Sequence, residues 1–393
     1  MQAFTLDALP LDSRTQATLA KEGITAPTPI QVAACAPIVA GKDTVVQATV
    51  GTGKTLAYLL PLLSKIAADP KARLLIMAPT PELAVQILRV VELYKPLGTS
   101  SLGLIGGANL ERQKDKLKKH PAILVGTPGR ILDLWESKKI KLPTLSAVVL
   151  DESDEILASE HHGAITELLQ DPALRAQKIC VSATFGPGVR YLTDHIMAED
   201  YVKAEAGDAL LSPTIRHLSV RYDPRRKDVS LLQLLDSHHI KQALLFVNKR
   251  IHVPHLYRFL NEHDVSCVGL SAERDKRSRE QAMVAFRKGK ARVLVATDAA
   301  ARGIDVKALP WVIHYEPARD VDTYVHRAGR TGRAGRAGTS VTMVAPEEMH
   351  LLRRYSRALG ITFDRPDQDA PSPHGSARAP STRTGASRGA PRS

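Results

Sequence analysis

The strongest constraint on this chain is an alternation. Short apolar runs of β type recur at "DTVVQA" (43–48), "RLLIMAP" (73–79), "AILVGTP" (122–128), "AVVLDES" (147–153) and "KICVSAT" (178–184). Helical patterns such as "TLAYLLPLLSKIAA" and "ELAVQILRVVELY" lie between them. Unbroken apolar runs belong to strands covered on both faces, so the pattern predicts a parallel α/β sheet flanked by helices. The series resumes with "SPTIRHLSVRY" (212–222), "ALLFVNK" (243–249), "SCVGLSA" (266–272), "ARVLVATD" (291–298), "WVIHYEP" (311–317) and "TSVTMVAP" (339–346). A chain of 393 residues has room for two cores. Two α/β domains are therefore expected, 1–206 and 207–365, with "AEAGDALLSP" (204–213) as linker. From about Pro366 the composition changes, and 370–393 holds no acid and no large apolar residue. That segment, 366–393, is expected to be a disordered tail. Its Arg378, Arg383, Arg388 and Arg392 read equally as a phosphate anchor or a solubilising tail.

Two stretches carry chemistry. In "VVQATVGTGKTLAYLL" a strand enters a glycine-rich turn that opens a helix at Lys54. Gly51 and Gly53 permit a backbone whose N–H groups surround phosphate oxygens, and the helix N-terminus adds its dipole. Lys54 would reach the outer phosphates and Thr55 would bind Mg²⁺. In "VVLDESD" (148–154) an apolar strand ends abruptly in acids. Carboxylates beside a core need a partner. Asp151 is expected to hold the Mg²⁺ of a bound ATP, and Glu152 to activate the attacking water.

Hydrolysis also needs positive charge on the γ-phosphate. "YVHRAGRTGRAGRAG" (324–338) offers Arg327, Arg330, Arg333 and Arg336 at three-residue spacing. Because this segment lies in the second half, hydrolysis would depend on domain closure. A plain Gly/Arg-rich RNA-binding loop fits the same segment.

Taken in order, these motifs resemble the DEAD-box RNA helicases from Phe4 to about residue 350. Phe4 and "GITAPTPIQ" (23–31) resemble the adenine-reading motif, with Gln31 on the base edge. "ATVGTGKT" (48–55) resembles motif I and implies ATP contacts from Ala48, Thr49, Val50, Gly51, Thr52, Gly53, Lys54 and Thr55. "DESD" resembles motif II. "SAT", with Ser182 and Thr184, resembles motif III, which couples ATP state to closure. Gly106, Gly107, Thr127, Gly129 and Arg130 match RNA-backbone contacts of the first domain, as does Thr80. "LLFVNKR", "ATDAAARGID" and "HRAGRTGR" resemble motifs IV to VI. The resemblance implies ribose contacts from Gly303 and Asp305, RNA contacts from Arg250, Arg279 and Thr297, and coupling by Asp154 and His326. It gives Arg330 and Arg333 to the γ-phosphate. The implied fold is two RecA-like domains, and the implied activity is ATP-dependent separation of short RNA duplexes by a sequence-nonspecific backbone clamp.

Five positions depart from the family pattern. Ile24 stands where an aromatic is usual, Val50 replaces a threonine, Pro81 an arginine, Ser153 an alanine and Lys276 a glutamine. None is a group that performs the chemistry, so the expected effect is weaker nucleotide or RNA binding. Losing one charge-assisted bond at Pro81 is worth roughly 1.5–3 kcal/mol. Two other functions stay open: an RNA clamp with a vestigial ATPase, and a DNA translocase built on the same two domains.

The formal net charge of +13 favours a polyanionic partner, and 4% aromatic residues suit backbone clamping better than base stacking. Cys35, Cys180 and Cys267 are scattered and read as reduced core thiols. The N-terminal stretch lacks the pattern of a secretory signal, and no apolar run is long enough to span a bilayer. A cytoplasmic monomer is expected.

Overall fold

A computed structural model describes residues 11–365, apart from 50, 207–209, 271–275, 302–308 and 333–335. The first sheet is built from β1 (Thr44–Gln47), β2 (Leu74–Met77), β3 (Ser101–Leu104), β4 (Ile123–Gly126), β5 (Ala147–Asp151), β6 (Gln177–Ser182) and β7 (Val202–Glu205). The second uses β8 (Ile215–Arg221), β9 (Ala243–Val247), β10 (Cys267–Leu270), β11 (Val293–Thr297), β12 (Trp311–His314) and β13 (Gly338–Val344). Their orders are β3-β4-β2-β5-β6-β1-β7 and β10-β11-β9-β12-β13-β8, and every pairing is parallel. These are two parallel α/β layers, as the alternation predicts, in the two-domain arrangement that the resemblance implies.

Burial explains the runs. Val148 and Leu150 enter one core while Val149, between them, enters the core on the opposite face. Leu245 and Leu244 divide the second sheet in the same way. Each such side chain contributes about 1.5–3 kcal/mol when fully buried, and a strand covered on both faces uses every residue. β3 and β7 carry no such signal. They are the edges of the first sheet, each with half-exposed positions, and Ala204 and Glu205 pair in β7 rather than linking the domains.

The order of strands sorts the site before any side chain is considered. Ligands of open parallel sheets bind beyond the carboxyl ends of the strands. Beyond β1, β5 and β6 lie the glycine-rich turn, Asp151 and Ser182; beyond β2, β3 and β4 lie Thr80, Gly106 and Thr127. One half of the first sheet thus carries the residues expected at nucleotide and the other half those expected at RNA. Among the described residues no helix is long and apolar enough to cross a membrane.

Candidate functional site

The phosphate turn is shaped by Gly51 and Gly53, with φ of 88° and 90°. Gly53 is also crowded: a Cβ there would lie 2.6 Å from Gln31 Nε2. The helix Lys54–Ala68 starts directly after it. Thr52 closes the turn, its Oγ1 donating to the Thr49 carbonyl at 2.7 Å, and Ala48 is buried against the core. Gln31 is committed locally. Its Oε1 accepts from the Thr28 amide at 2.9 Å, and its Nε2 donates to the Gly53 carbonyl at 3.3 Å. The residue expected to read adenine therefore also ties the helix Pro29–Val39 to the phosphate turn. Ile24 packs partly buried against the first core. Phe4 and Val50 lie outside the described residues.

Asp151 ends β5 with 4% of its surface exposed. Tyr58, fully buried one turn into the phosphate helix, donates its hydroxyl to Asp151 Oδ2 at 2.9 Å, and the Thr55 side chain bonds the same phenol. The two expected Mg²⁺ ligands thus meet on one tyrosine that the sequence reading did not single out. Burial pushes the Asp151 carboxyl up to about 6; Glu152 adds to the rise, while Lys54 and Tyr58 oppose it. Glu152 occupies a left-handed backbone position (φ 52°), and its Oε2 is buried without a hydrogen-bond partner. A buried carboxylate, a hydroxyl beside it and an unpartnered acid oxygen form the hard oxygen set that suits Mg²⁺.

The two domains meet at Asp154. Its Oδ2 accepts from Thr184 Oγ1 at 2.8 Å and lies 3.0 Å from His326 Nε2 of the second domain. Ser182 holds the turn, its Oγ donating to the Thr184 carbonyl at 2.6 Å. Burial opposes ionisation of Asp154, but the bonds from His326, Thr184 and Ser182 outweigh it and hold the carboxyl well below its usual range. Burial likewise works against His326, whose pKa is nevertheless raised by Asp154, Glu155 and Glu152. The four expected coupling residues are therefore in mutual contact.

The arginines beyond this point do different work. Arg327, 1% exposed, is clamped by Asp298 at 2.6 and 2.7 Å, by Asn248 Oδ1 at 2.6 Å and by the Glu316 carbonyl at 3.0 Å. Four of its five donors are spent in holding the second domain, so it is removed from the candidates for the γ-phosphate. Arg330, 9% exposed, lines a 210 Å³ interdomain cavity with Asp154, Asp322 and His326. No carboxylate among the described residues pairs with it. Arg336 is exposed, and its carbonyl accepts from Thr214. Gly303, Asp305 and Arg333 lie outside the described residues.

The expected RNA residues mostly shape backbone. Thr80 caps the helix Pro81–Tyr94, accepting from the Leu83 amide at 3.2 Å. Pro81 is the first residue of that helix, where a missing N–H costs nothing, so its departure removes only the arginine charge. Thr127 precedes the helix Pro128–Glu136, and Gly129 sits where a Cβ would meet the His161 ring at 3.3 Å. Arg130 donates to the Ala108 carbonyl at 3.3 Å and to Gln113 Oε1 at 2.8 Å, while Gln113 donates to the Ile105 carbonyl at 3.1 Å. Together they bracket the Gly106–Gly107 turn. Arg250 is exposed after β9, and Thr297 ends β11 with its Oγ1 accepting from the Ala300 amide. Arg279, expected at RNA, has its Nη2 2.9 Å from Glu82 Oε1 of the first domain. Lys276 lies in the helix Lys276–Arg287.

Comparison with known proteins decides the family. The DEAD/DEAH box helicase family matches residues 28–191, and the helicase conserved C-terminal domain matches 226–335. The DEAD-box ATP-dependent RNA helicase CshC of Bacillus cereus is 37% identical over 88% of this chain and 89% of its own. This chain belongs to the DEAD-box RNA helicases. The probable ATP-dependent RNA helicase YfmL of Bacillus subtilis is 38% identical over 86% of this chain and 90% of its own. Among solved structures, S. cerevisiae Dbp5 bound to RNA and ADP BeF3 superposes with a TM-score of 0.80 at 26% identity, covering 92% of this chain and 95% of that one. This DEAD-box protein is an ATP-dependent RNA helicase, and hence an ATP hydrolase that binds RNA.

Proposed function

We propose that this helicase hydrolyses ATP in a pocket completed by its second domain, and that closure around single-stranded RNA controls it. The contact that carries this reading is Asp154, shared by Thr184 of the first domain and His326 of the second. His326 lies in the last turn of the helix Val321–Ala328 and Arg330 two residues beyond its end, and both line the same interdomain cavity, so seating His326 brings Arg330 to the cleft.

Lys54 and the turn from Ala48 to Thr55 hold the triphosphate, with Gln31 toward adenine and Gly303 and Asp305 toward ribose. Thr55 and Asp151 hold Mg²⁺, which when bound neutralises phosphate charge. Glu152 orients and deprotonates the attacking water through its unpartnered oxygen. Arg330, with Arg333, takes up the charge developing on the γ-phosphate. RNA phosphates lie along the ends of β2, β3 and β4 in one domain and of β9 and β11 in the other. Such a clamp reads backbone, and bending the bound strand separates short duplexes. The domains extend over 1–206 and 207–365, the protein acts as a monomer, and its three buried thiols, without a disulfide among them, suit the cytoplasm.

The Glu152→Gln variant tests this directly. It should bind ATP and RNA as the native protein does while RNA-stimulated phosphate release falls about 10²–10⁴-fold. Unchanged release would overturn the assignment of Glu152. No release from the native protein at saturating RNA would favour the clamp with a vestigial ATPase; equal stimulation by single-stranded DNA would favour the translocase.

A further inference from the structure

The second domain carries a groove that the ATPase cleft does not use. It is a cavity of about 1010 Å³ between the helices Lys227–Ser237 and Met349–Leu359, beside the edge strand β8. Arg221, Arg353, Arg357 and Arg365 line it, and no carboxylate does. Among the described residues none of these four guanidinium groups has a hydrogen-bond or ion-pair partner. The nearest acid in sequence, Asp364, is engaged with Arg216 at 3.5 Å. By contrast Arg292, on the same domain, is bonded to Asp236 and to two carbonyls. Four like charges held around one cavity repel one another, and a polyanion relieves that repulsion. Guanidinium forks match phosphodiester oxygens two at a time.

We propose that this groove binds the sugar–phosphate backbone of a second stretch of the RNA held in the cleft, an inference that rests on the RNA clamp proposed above. Sheet order separates the two sites. β8 is one edge of the second sheet and β10, next to β11 and Thr297, is the other. The strands expected to carry cleft RNA, β9 and β11, are three and four inter-strand spacings of about 4.8 Å from β8, roughly 14–19 Å. At a rise of ~3.4 Å per stacked nucleotide that span takes about four to six nucleotides beyond those bound in the cleft, so only RNA running past the cleft reaches the groove. Ser219 and Ser356 on the walls supply neutral donors for phosphate or 2′-hydroxyl oxygens.

The test compares full-length native protein with the Arg221→Ala/Arg353→Ala/Arg357→Ala variant, by fluorescence anisotropy with a non-hydrolysable ATP analogue. The probes are 10-nucleotide and 30-nucleotide single-stranded RNAs of one repeated base. The 10-mer should bind both proteins within about twofold. The 30-mer should bind the variant at least tenfold more weakly at low salt, and the slope of log affinity against log salt should fall by about 2, at ~0.7 per lost phosphate contact. The corresponding triple lysine variant should retain the native salt slope, which separates charge from folding. Equal loss on both RNAs, or no loss on either, overturns the groove as an RNA site; in the second case an acidic protein segment becomes the occupant to test. Failure of the 10-mer to bind native protein would instead overturn the clamp.

Discussion

Nε2 of His326 lies 3.0 Å from Oδ2 of Asp154, joining two domains through residues 172 positions apart in the chain. The contact is shielded from solvent on both sides, at 14% and 9% side-chain exposure. Because the His326 pKa is raised above its ordinary value, the ion pair is complete below about pH 6.5 and is lost as pH rises through the raised value. RNA affinity in the presence of a non-hydrolysable ATP analogue should therefore decline with rising pH. Asp154→Asn should flatten that decline and weaken the clamped state by about 3 kcal/mol, on the order of 100-fold. Anisotropy titrations across the pH range measure both.

Asp151 makes the opposite demand. Its carboxyl, pushed up to about 6 by burial and by Glu152, is destabilised when ionised and unpartnered. The contribution of this group to stability is full below its ordinary pKa near ~4 and is lost as pH rises through about 6. Two units correspond to roughly 3 kcal/mol at most. Thermal unfolding should show Mg²⁺ with a nucleotide analogue stabilising the protein more at pH 7.5 than at pH 5.5. Asp151→Asn should abolish the difference, and Tyr58→Phe should shift it by removing the donor at 2.9 Å.

Arg327 and Arg330, three residues apart, should fail in different ways. Arg327→Ala leaves Asp298 without its buried partner and should cost about 3–5 kcal/mol of stability. A lysine there cannot replace the fork and should rescue little. Arg330→Ala should leave the melting temperature nearly unchanged while ATP turnover falls about 10³–10⁵-fold. Calorimetry and phosphate release separate the two.

Glu82 and Arg279 join the two domains by an ion pair at 2.9 Å, next to Thr80 and Pro81 of the proposed RNA path. At 39% and 22% exposure this pair should couple by only about 0.2–1 kcal/mol in a double-mutant cycle on RNA affinity. An Arg279→Ala loss well beyond that, with Glu82→Ala nearly silent, would show that the arginine leaves Glu82 for phosphate when RNA binds.

The sequence was most legible where residues must be buried or must bend. Unbroken apolar runs identified the inner strands, and "GTGKT" identified the phosphate turn because only glycine takes φ near 90° without strain. The edges β3 and β7 were missed because a strand packed on one side need not be apolar throughout. Tyr58 looked like one more core residue in an amphipathic helix; its hydroxyl acquires meaning only from β5, which the fold brings beside it. Arg327 looked like one of four equivalent arginines, and only the convergence of Asn248, Asp298 and Glu316 gives it a structural task.

By itself, then, the sequence determined local matters: element type, the phosphate turn, the acids at a strand end and a basic balance calling for a polyanion. Tertiary structure alone decided pairing: which strands lie side by side, which arginine is spent within its own domain, and which tyrosine meets the acid at the end of β5. The reason is physical. Backbone torsion and burial act over a few residues and leave their mark on neighbours in the chain, whereas a hydrogen bond between Asp154 and His326 depends on a separation that only the packed sheets set.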